Sequence, residues 1–541
     1  MTSVQPRVAV HELLAEASRI ATGLAEDKVA SGIAAKDVTL WGPDAEAGAA
    51  VRLNWVDLAT TSRPLLARIA ELRRELASLG VHRVLLAGTS GATLAAAAIC
   101  RAEGVPLVVL DTADAGQVGD ALEGDLAATV LVVASKYGTA LQPDSIHRIF
   151  TEAFSSAGLA PAEHIVVVTD PGSPLHHQAF DAGLPVIEAD PEVGDAYSAL
   201  TAFGLVPAGL AGADLGALLD DAAAAEELLG QDEVDNPALL LGAALAARHA
   251  AGAEQVVLAD TGSSLDGSDL AGFGDWAAHL ITAATNLLPV VAEGPTAPGF
   301  GGSARPAGPD ATTVALGTAL GTDPADAQLS TAGPLGGLFP LWQYAVAVAG
   351  RLLGVNPFEE LDVATAEAAT LALLAEPPGT EPAPSFVDGA IEVFAGDWLP
   401  AGTDRTAAGA VRALLAAAPE HGHLSVEVYL DRIEDASASV LRPELARRSG
   451  LPTTFGWGQR RPRPTGPDQQ DGRPNGVYLH ITGSVVADIA VPGRPYTLAA
   501  LQHAQARGDT AVLTGRGRPV LRLHLTDREV GFVQLAAALL G

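Results

Sequence analysis

From Val81 onward the chain alternates short, continuous apolar runs with longer amphipathic stretches, and that rhythm restricts it to few folds. The runs RVLLAG (83–88), PLVVLD (106–111), ATVLVVAS (128–135), HIVVVTD (164–170) and LPVIEAD (184–190) are rich in Val, Leu and Ile and bounded by Gly, Asp, Ser or Pro. A strand that is apolar on both faces has to be covered on both faces. Helices between successive strands supply that cover, which makes the strands parallel. Residues 81–230 therefore read as a doubly wound α/β unit.

The pattern then repeats. Helix 236–252, strand 255–260, helix 273–285, strand 287–294, a Gly/Pro-rich loop over 292–310, strand 312–317 and helices 340–354 and 363–375 describe a second α/β unit over 231–375. AEPPGTEPAP (375–384) breaks every regular element and reads as a linker. A third α/β region, 385–541, carries strands at 389–396, 423–430, 476–483 and 519–525 and a polar loop over 458–476. Residues 1–80 read as helical.

Composition enters mainly to exclude. At 48% hydrophobic residues the chain can build sizeable cores, yet no apolar run reaches the roughly 18 residues of a spanning helix. The first residues lack a basic start followed by an apolar stretch, so no signal peptide is expected and the cytoplasm is the expected location. Cys100 is the single cysteine, which leaves no internal disulfide and no thiolate zinc site. With 64 acidic against 32 basic residues the net charge is −32, a field that repels nucleic acid and anionic membranes. The best His/acid clusters, Glu420-His421-His423 and His176-His177, lack a third ligand at useful spacing, so neither metal nor cofactor is expected. Gly88–Thr93 does not fit a dinucleotide fingerprint. Ala92 breaks the G-x-S-x-G pattern that would make Ser90 a nucleophile.

Several stretches, in order, resemble the glucose-6-phosphate isomerase family in its actinobacterial form: DVTLWGPDAEAGAAVRLNWVDL (37–58), VLLAGTSGATLA (84–95), SKYGTALQPDS (135–145), VGDAYSALTAFGLVPAGLAG (193–212), GFGDWAAHLITAAT (272–285), FPLWQYAVAVAGRLLGVNPF (339–358), PTTFGWGQR (452–460) and GVYLHITG (476–483). The resemblance implies two sugar-isomerase (SIS) type subdomains with a helical N-terminal segment and an α/β C-terminal extension. It further implies a homodimer and a sugar-phosphate substrate, glucose 6-phosphate or fructose 6-phosphate. The reaction it implies is the aldose–ketose isomerisation of glycolysis and gluconeogenesis, in which a carboxylate moves a proton between C2 and C1 through an enediol(ate).

Set against the family's motifs, the loops are altered. Gly-x-Gly-Gly-Ser becomes Gly88-Thr89-Ser90-Gly91-Ala92. The strand-to-helix turn with its backbone N–H groups remains, Ser90 brings a Cβ where the family has none, and Thr93 is the residue able to offer a substitute hydroxyl. The second phosphate loop keeps Ser135, Lys136 and Thr139, but Tyr137 and Ala140 replace small hydroxyl residues. Gly-Gly-Arg-(Phe/Tyr)-Ser reads Gly194-Asp195-Ala196-Tyr197-Ser198, so Ala196 stands where the arginine belongs. The base position holds Ala283, and the lysine of the later His-Ser-Thr-Gly-Gln-x-His-Lys-Gly-Gly motif is replaced by Gln470. Two expectations stay open. One is a working isomerase with a rebuilt site. The other is a non-catalytic relative that binds a sugar phosphate or a partner protein, or neither. Substitutions concentrated in the ligand loops favour the loss of efficient catalysis.

Overall fold

A computed structural model describes residues 5–10, 14–260, 270–292, 311–317, 328–359, 363–377, 380–458 and 475–540. The chain divides into two compact units. The first comprises Met1–Val109, Asp125–Thr139 and Phe154–Leu361; the second comprises Leu110–Gly124, Ala140–Ala153 and Asp362–Gly541.

Strand β1 (Arg7–Val10) opens the chain but belongs to a later sheet. Strands β2 (Arg83–Ala87), β3 (Val108–Leu110), β4 (Thr129–Ala134), β5 (Ile165–Thr169) and β6 (Val186–Glu188) form one sheet in the order β3-β2-β4-β5-β6, and β2, β4, β5 and β6 pair in parallel. Every residue of β4 and β5 is buried, which is what a continuous apolar run between two helical layers requires. The chain leaves β2 toward β3 and returns as β4 on the other side. The winding therefore reverses between β2 and β4, and the loops after these two strands flank the crevice where α/β sheets bind ligands.

The second sheet runs β1-β10-β9-β7-β8, built from β7 (Gln255–Asp260), β8 (Leu288–Ala292), β9 (Ala311–Leu316) and β10 (Leu329–Ala332) in parallel, with β1 added antiparallel at the edge. Among the helices of this unit are α1 (Gly91–Ala102), α2 (Leu215–Leu229), α3 (Phe273–Ala284) and α4 (Leu335–Leu353), and α1, α3 and α4 pack against the segment Asp195–Leu200. Phe273 and Trp276 of α3 pack against Phe339 of α4, with ring centroids 5.7 and 4.7 Å apart. That aromatic contact fixes the rotation of α3 and with it the face bearing His279 and Ala283, four residues apart and so neighbours along the helix.

The second unit has a mixed sheet, β11-β12-β16-β15-β13-β14, made of β11 (Phe386–Asp388), β12 (Ile391–Ala395), β13 (His423–Tyr429), β14 (Thr453–Gly456), β15 (Gly476–Gly483) and β16 (Val520–Leu525). β13, β14, β15 and β16 are parallel, and β11 and β12 add antiparallel pairs. It has its own core, including Val426, Leu479, Leu523 and Leu535. Helix α5 (Leu498–Gly515) runs beside this sheet. No helix among the described residues is long and apolar enough to cross a membrane.

The strand at Arg7–Val10, inside the stretch expected to be helical, differs from the sequence reading. Its register with β10 pairs Arg7 with Ala332. Four residues whose partner lies more than three hundred positions away carry no local signal.

Candidate functional site

The loop after β2 turns straight into α1, so its N–H groups sit at the positive end of the helix dipole. Gly88 packs so close to β4 that a Cβ there would lie 2.9 Å from the Ala134 carbonyl oxygen. Ser90 precedes the helix with φ 54° and ψ −133°, a backbone conformation that glycine adopts freely and an L-residue enters only under strain. Thr93 is fully buried, and its hydroxyl donates to the Ser90 carbonyl at 3.1 Å, so it faces the loop backbone.

The N–H of Gly91 already has an anion. The Asp195 carboxylate Oδ2 accepts from Gly91 N at 3.2 Å and from His279 Nε2 at 3.0 Å. A carboxylate only accepts in this geometry, so the His279 proton sits on Nε2. Its Nδ1 is buried with no hydrogen-bond partner among the described residues. Gly91 must be glycine here, because a Cβ would collide with the Asp195 carbonyl oxygen.

The segment bearing Asp195 is held firmly. The Ser198 hydroxyl donates to the Asp195 carbonyl at 2.6 Å, and Tyr197 stacks on Trp55 with centroids 4.9 Å apart. Gln343 of α4 donates to the Tyr197 carbonyl at 2.8 Å. Ala196 itself is buried. Arg52 packs beside Gly194, but its guanidinium donates to the Pro191 carbonyl at 2.7 Å. Ala283 is partly buried against the main core, one turn along α3 from His279.

The loop after β4 turns inward. Lys136 is buried, with its Nζ 3.0 Å from the Asp170 carboxylate and 3.4 Å from the Asp190 carbonyl. Ser135 is buried, and its carbonyl accepts the Thr169 hydroxyl at 2.6 Å. Tyr137 and Thr139 are exposed. The structure thus brings Gly88, Ser90, Gly91 and Thr93 together with Asp195 and His279, and it pairs Lys136 with a carboxylate of its own subdomain. Gln470 lies outside the described residues, as do Glu293 of the expected strand 287–294 and Arg460, Arg461 and Arg463 of the polar loop expected over 458–476. Among the described residues no group of three His, Cys, Asp or Glu side chains is arranged to hold a metal ion.

The sequence reading missed the Asp195–His279 pair. The two residues are 84 positions apart, and the available signal was two unusual charges in neighbouring motifs, a carboxylate where the resemblance has glycine and an imidazole where it has glutamine.

Two largely parallel sheets, each with a winding reversal and flanked by helices, define an α/β fold. Comparison with solved structures agrees. A hypothetical protein of Thermus thermophilus superposes with a TM-score of 0.55 at 21% identity, covering 68% of this chain and all of that one. A glucose-6-phosphate isomerase of Chlamydia trachomatis superposes with a TM-score of 0.53 at 18% identity, covering 70% and 90%. In sequence, a probable glucose-6-phosphate isomerase of Haloarcula marismortui is 32% identical over 201 residues, which is 36% of this chain and 45% of that protein. A glucose-6-phosphate isomerase of Synechococcus is 38% identical over 125 residues, about a quarter of each chain. The similarity spans less than half the length of these curated relatives. No protein-family model matches the chain. Over these stretches the chain is similar in sequence to glucose-6-phosphate isomerases.

Proposed function

We propose that this chain is a glucose-6-phosphate isomerase relative in which efficient isomerisation has been lost and the first phosphate loop is closed by the chain's own Asp195. The observation that carries the reading is the Asp195 carboxylate on Gly91 N–H, the donor a phosphate would need. Two further features support it. Ala283 offers a methyl group where proton transfer from carbon needs a base, a contribution commonly worth about 100- to 10,000-fold. Ala196 offers no charge to a developing oxyanion, and losing one such donor costs about 3 kcal/mol of transition-state stabilisation.

A rebuilt catalytic pair is the second reading, since Asp195 and His279 place a carboxylate beside an imidazole next to both vacated positions. The argument against it is occupancy. The same Oδ2 that would serve as base is bound to the helix N-terminus that the substrate phosphate would have to use. The proposal extends to a homodimeric, cytoplasmic protein, as the resemblance implies, and light scattering checks the assembly. The deciding assay follows fructose 6-phosphate conversion through a coupled dehydrogenase. The expected result is no turnover above the enzyme-free control, and turnover approaching about 10 per second, the usual enzymatic median, would overturn the proposal.

A further inference from the structure

In the second unit the winding also reverses. The chain leaves β13 toward β14, then returns as β15 on the other side of β13, with β16 beyond it. The C-terminal ends of strands at such a reversal leave a crevice that the crossover connections do not fill. A cavity of about 360 Å³ lies there, bordered by Tyr429 at the end of β13, Thr482 and Ser484 at the end of β15, His524 near the end of β16, and Asp488 and His503 beside them.

The polar groups in this cavity are amphoteric or acidic. Two hydroxyls bracket the His524 ring: Thr482 Oγ1 is 2.9 Å from Nδ1, and Ser484 Oγ is 3.2 Å from Nε2. Burial, with His503 and Arg522 nearby, pushes the His524 pKa down to about 4, so the ring is neutral near pH 7. A neutral ring donates from one nitrogen and accepts at the other. Thr482 is buried with the Leu523 carbonyl 3.5 Å away as its own acceptor, so it takes the Nδ1 proton. Ser484 then donates to Nε2 and turns its lone pairs to the cavity. Asp488 uses Oδ1 to accept from the N–H groups of Ile489 and Ala499, at 2.8 and 3.0 Å, and its exposed carboxylate adds a second acceptor.

Positive charge is spent beneath the cavity. Arg522 is buried, 2.5 Å from Glu381 and 3.0 Å from His503 Nε2. An anion entering here would meet the Asp488 carboxylate, while a neutral compound with adjacent hydroxyls would find an acceptor at Ser484 and another at Asp488.

We propose that this cavity is a binding site for a small uncharged polyhydroxy compound, a free sugar or polyol, held by Ser484 and Asp488, with His524 orienting the Ser484 hydroxyl. It lies in the second unit and does not depend on the loop at Gly88–Thr93. The test is isothermal titration of the full chain with D-glucose, D-sorbitol and glucose 6-phosphate. The expected result is that a neutral compound binds at least about 10-fold more tightly than the phosphate ester, that Ser484→Ala weakens it by about 10-fold, and that Ser484→Trp abolishes it. Ser484 is exposed, so both variants should keep the wild-type thermal transition. Absence of binding by both neutral compounds, preference for the phosphate ester, or binding that survives Ser484→Trp would overturn the proposal.

Discussion

Replacing Asp195 with alanine separates an internal plug from a catalytic acid. In the wild type its carboxylate accepts from Gly91 N at 3.2 Å and His279 Nε2 at 3.0 Å, at the start of a twelve-residue helix. A hydrogen bond to a charged group contributes about 1.5–3 kcal/mol, and the helix terminus adds about 0.3–1 kcal/mol. The carboxylate is about a third exposed, so the lower ends of these ranges apply, giving about 2 kcal/mol for the plug. Asp195→Ala should therefore lower stability by about 2 kcal/mol, because two donors lose their acceptor. It should also raise affinity for inorganic phosphate or 6-phosphogluconate by about 30-fold, since an added anion then meets free donors and no competing charge. Asp195→Asn, which keeps size and an acceptor oxygen, should fall between. Thermal unfolding over a phosphate series reads both effects at once: the variant starts lower and climbs with phosphate, while the wild type stays flat. A variant that loses stability and gains no phosphate response would refute the reasoning, as would a wild type that already binds 6-phosphogluconate at micromolar concentration.

Two further outcomes are expected. Burial raises the Glu226 pKa from 4.5 to about 7, so the stability tied to its proton is full below pH 4.5 and is lost as pH rises through 7. Glu226→Gln, which keeps an acceptor for the Ala59 N–H, should stabilise the protein by up to about 3 kcal/mol at pH 8 and hardly at all at pH 4, read from paired thermal melts; equal effects at both pH values would contradict the assignment. Ser90→Gly should raise stability by about 1 kcal/mol, because relief of the strained φ of 54° outweighs the extra unfolded-state freedom of glycine, and a lower melting temperature would argue against strain there.

The parallel strands of the first sheet were legible because β2, β4 and β5 are buried on both faces and so must be apolar throughout. β1, β10 and β14 were not, since each is four residues long and owes its strand conformation to distant partners. The site divides along the same line. That Ala196 and Ala283 carry no charge is readable directly, because a missing side chain is a property of one position. Where the remaining side chains spend their charge is a property of pairs. Lys136 in sequence looks like a free cation beside a loop, yet the fold closes it onto Asp170, 34 positions on. Asp195 looks like a charge placed against an anionic ligand, and its contact with Gly91 and His279 exists only once three segments meet.

Proton removal from carbon can be followed without waiting for net conversion. Glucose 6-phosphate incubated with the protein in heavy water and followed by proton NMR reports the C2 hydrogen directly, because any base that removes it exchanges it with solvent deuterium. With Ala283 and Ala196 where the resemblance puts the base and the arginine, and Asp195 committed to Gly91, the C2 signal should persist at the rate of the protein-free sample. Protein-dependent loss of that signal, abolished by Asp195→Ala, would mean that the carboxylate is a working base and that the site has been rebuilt.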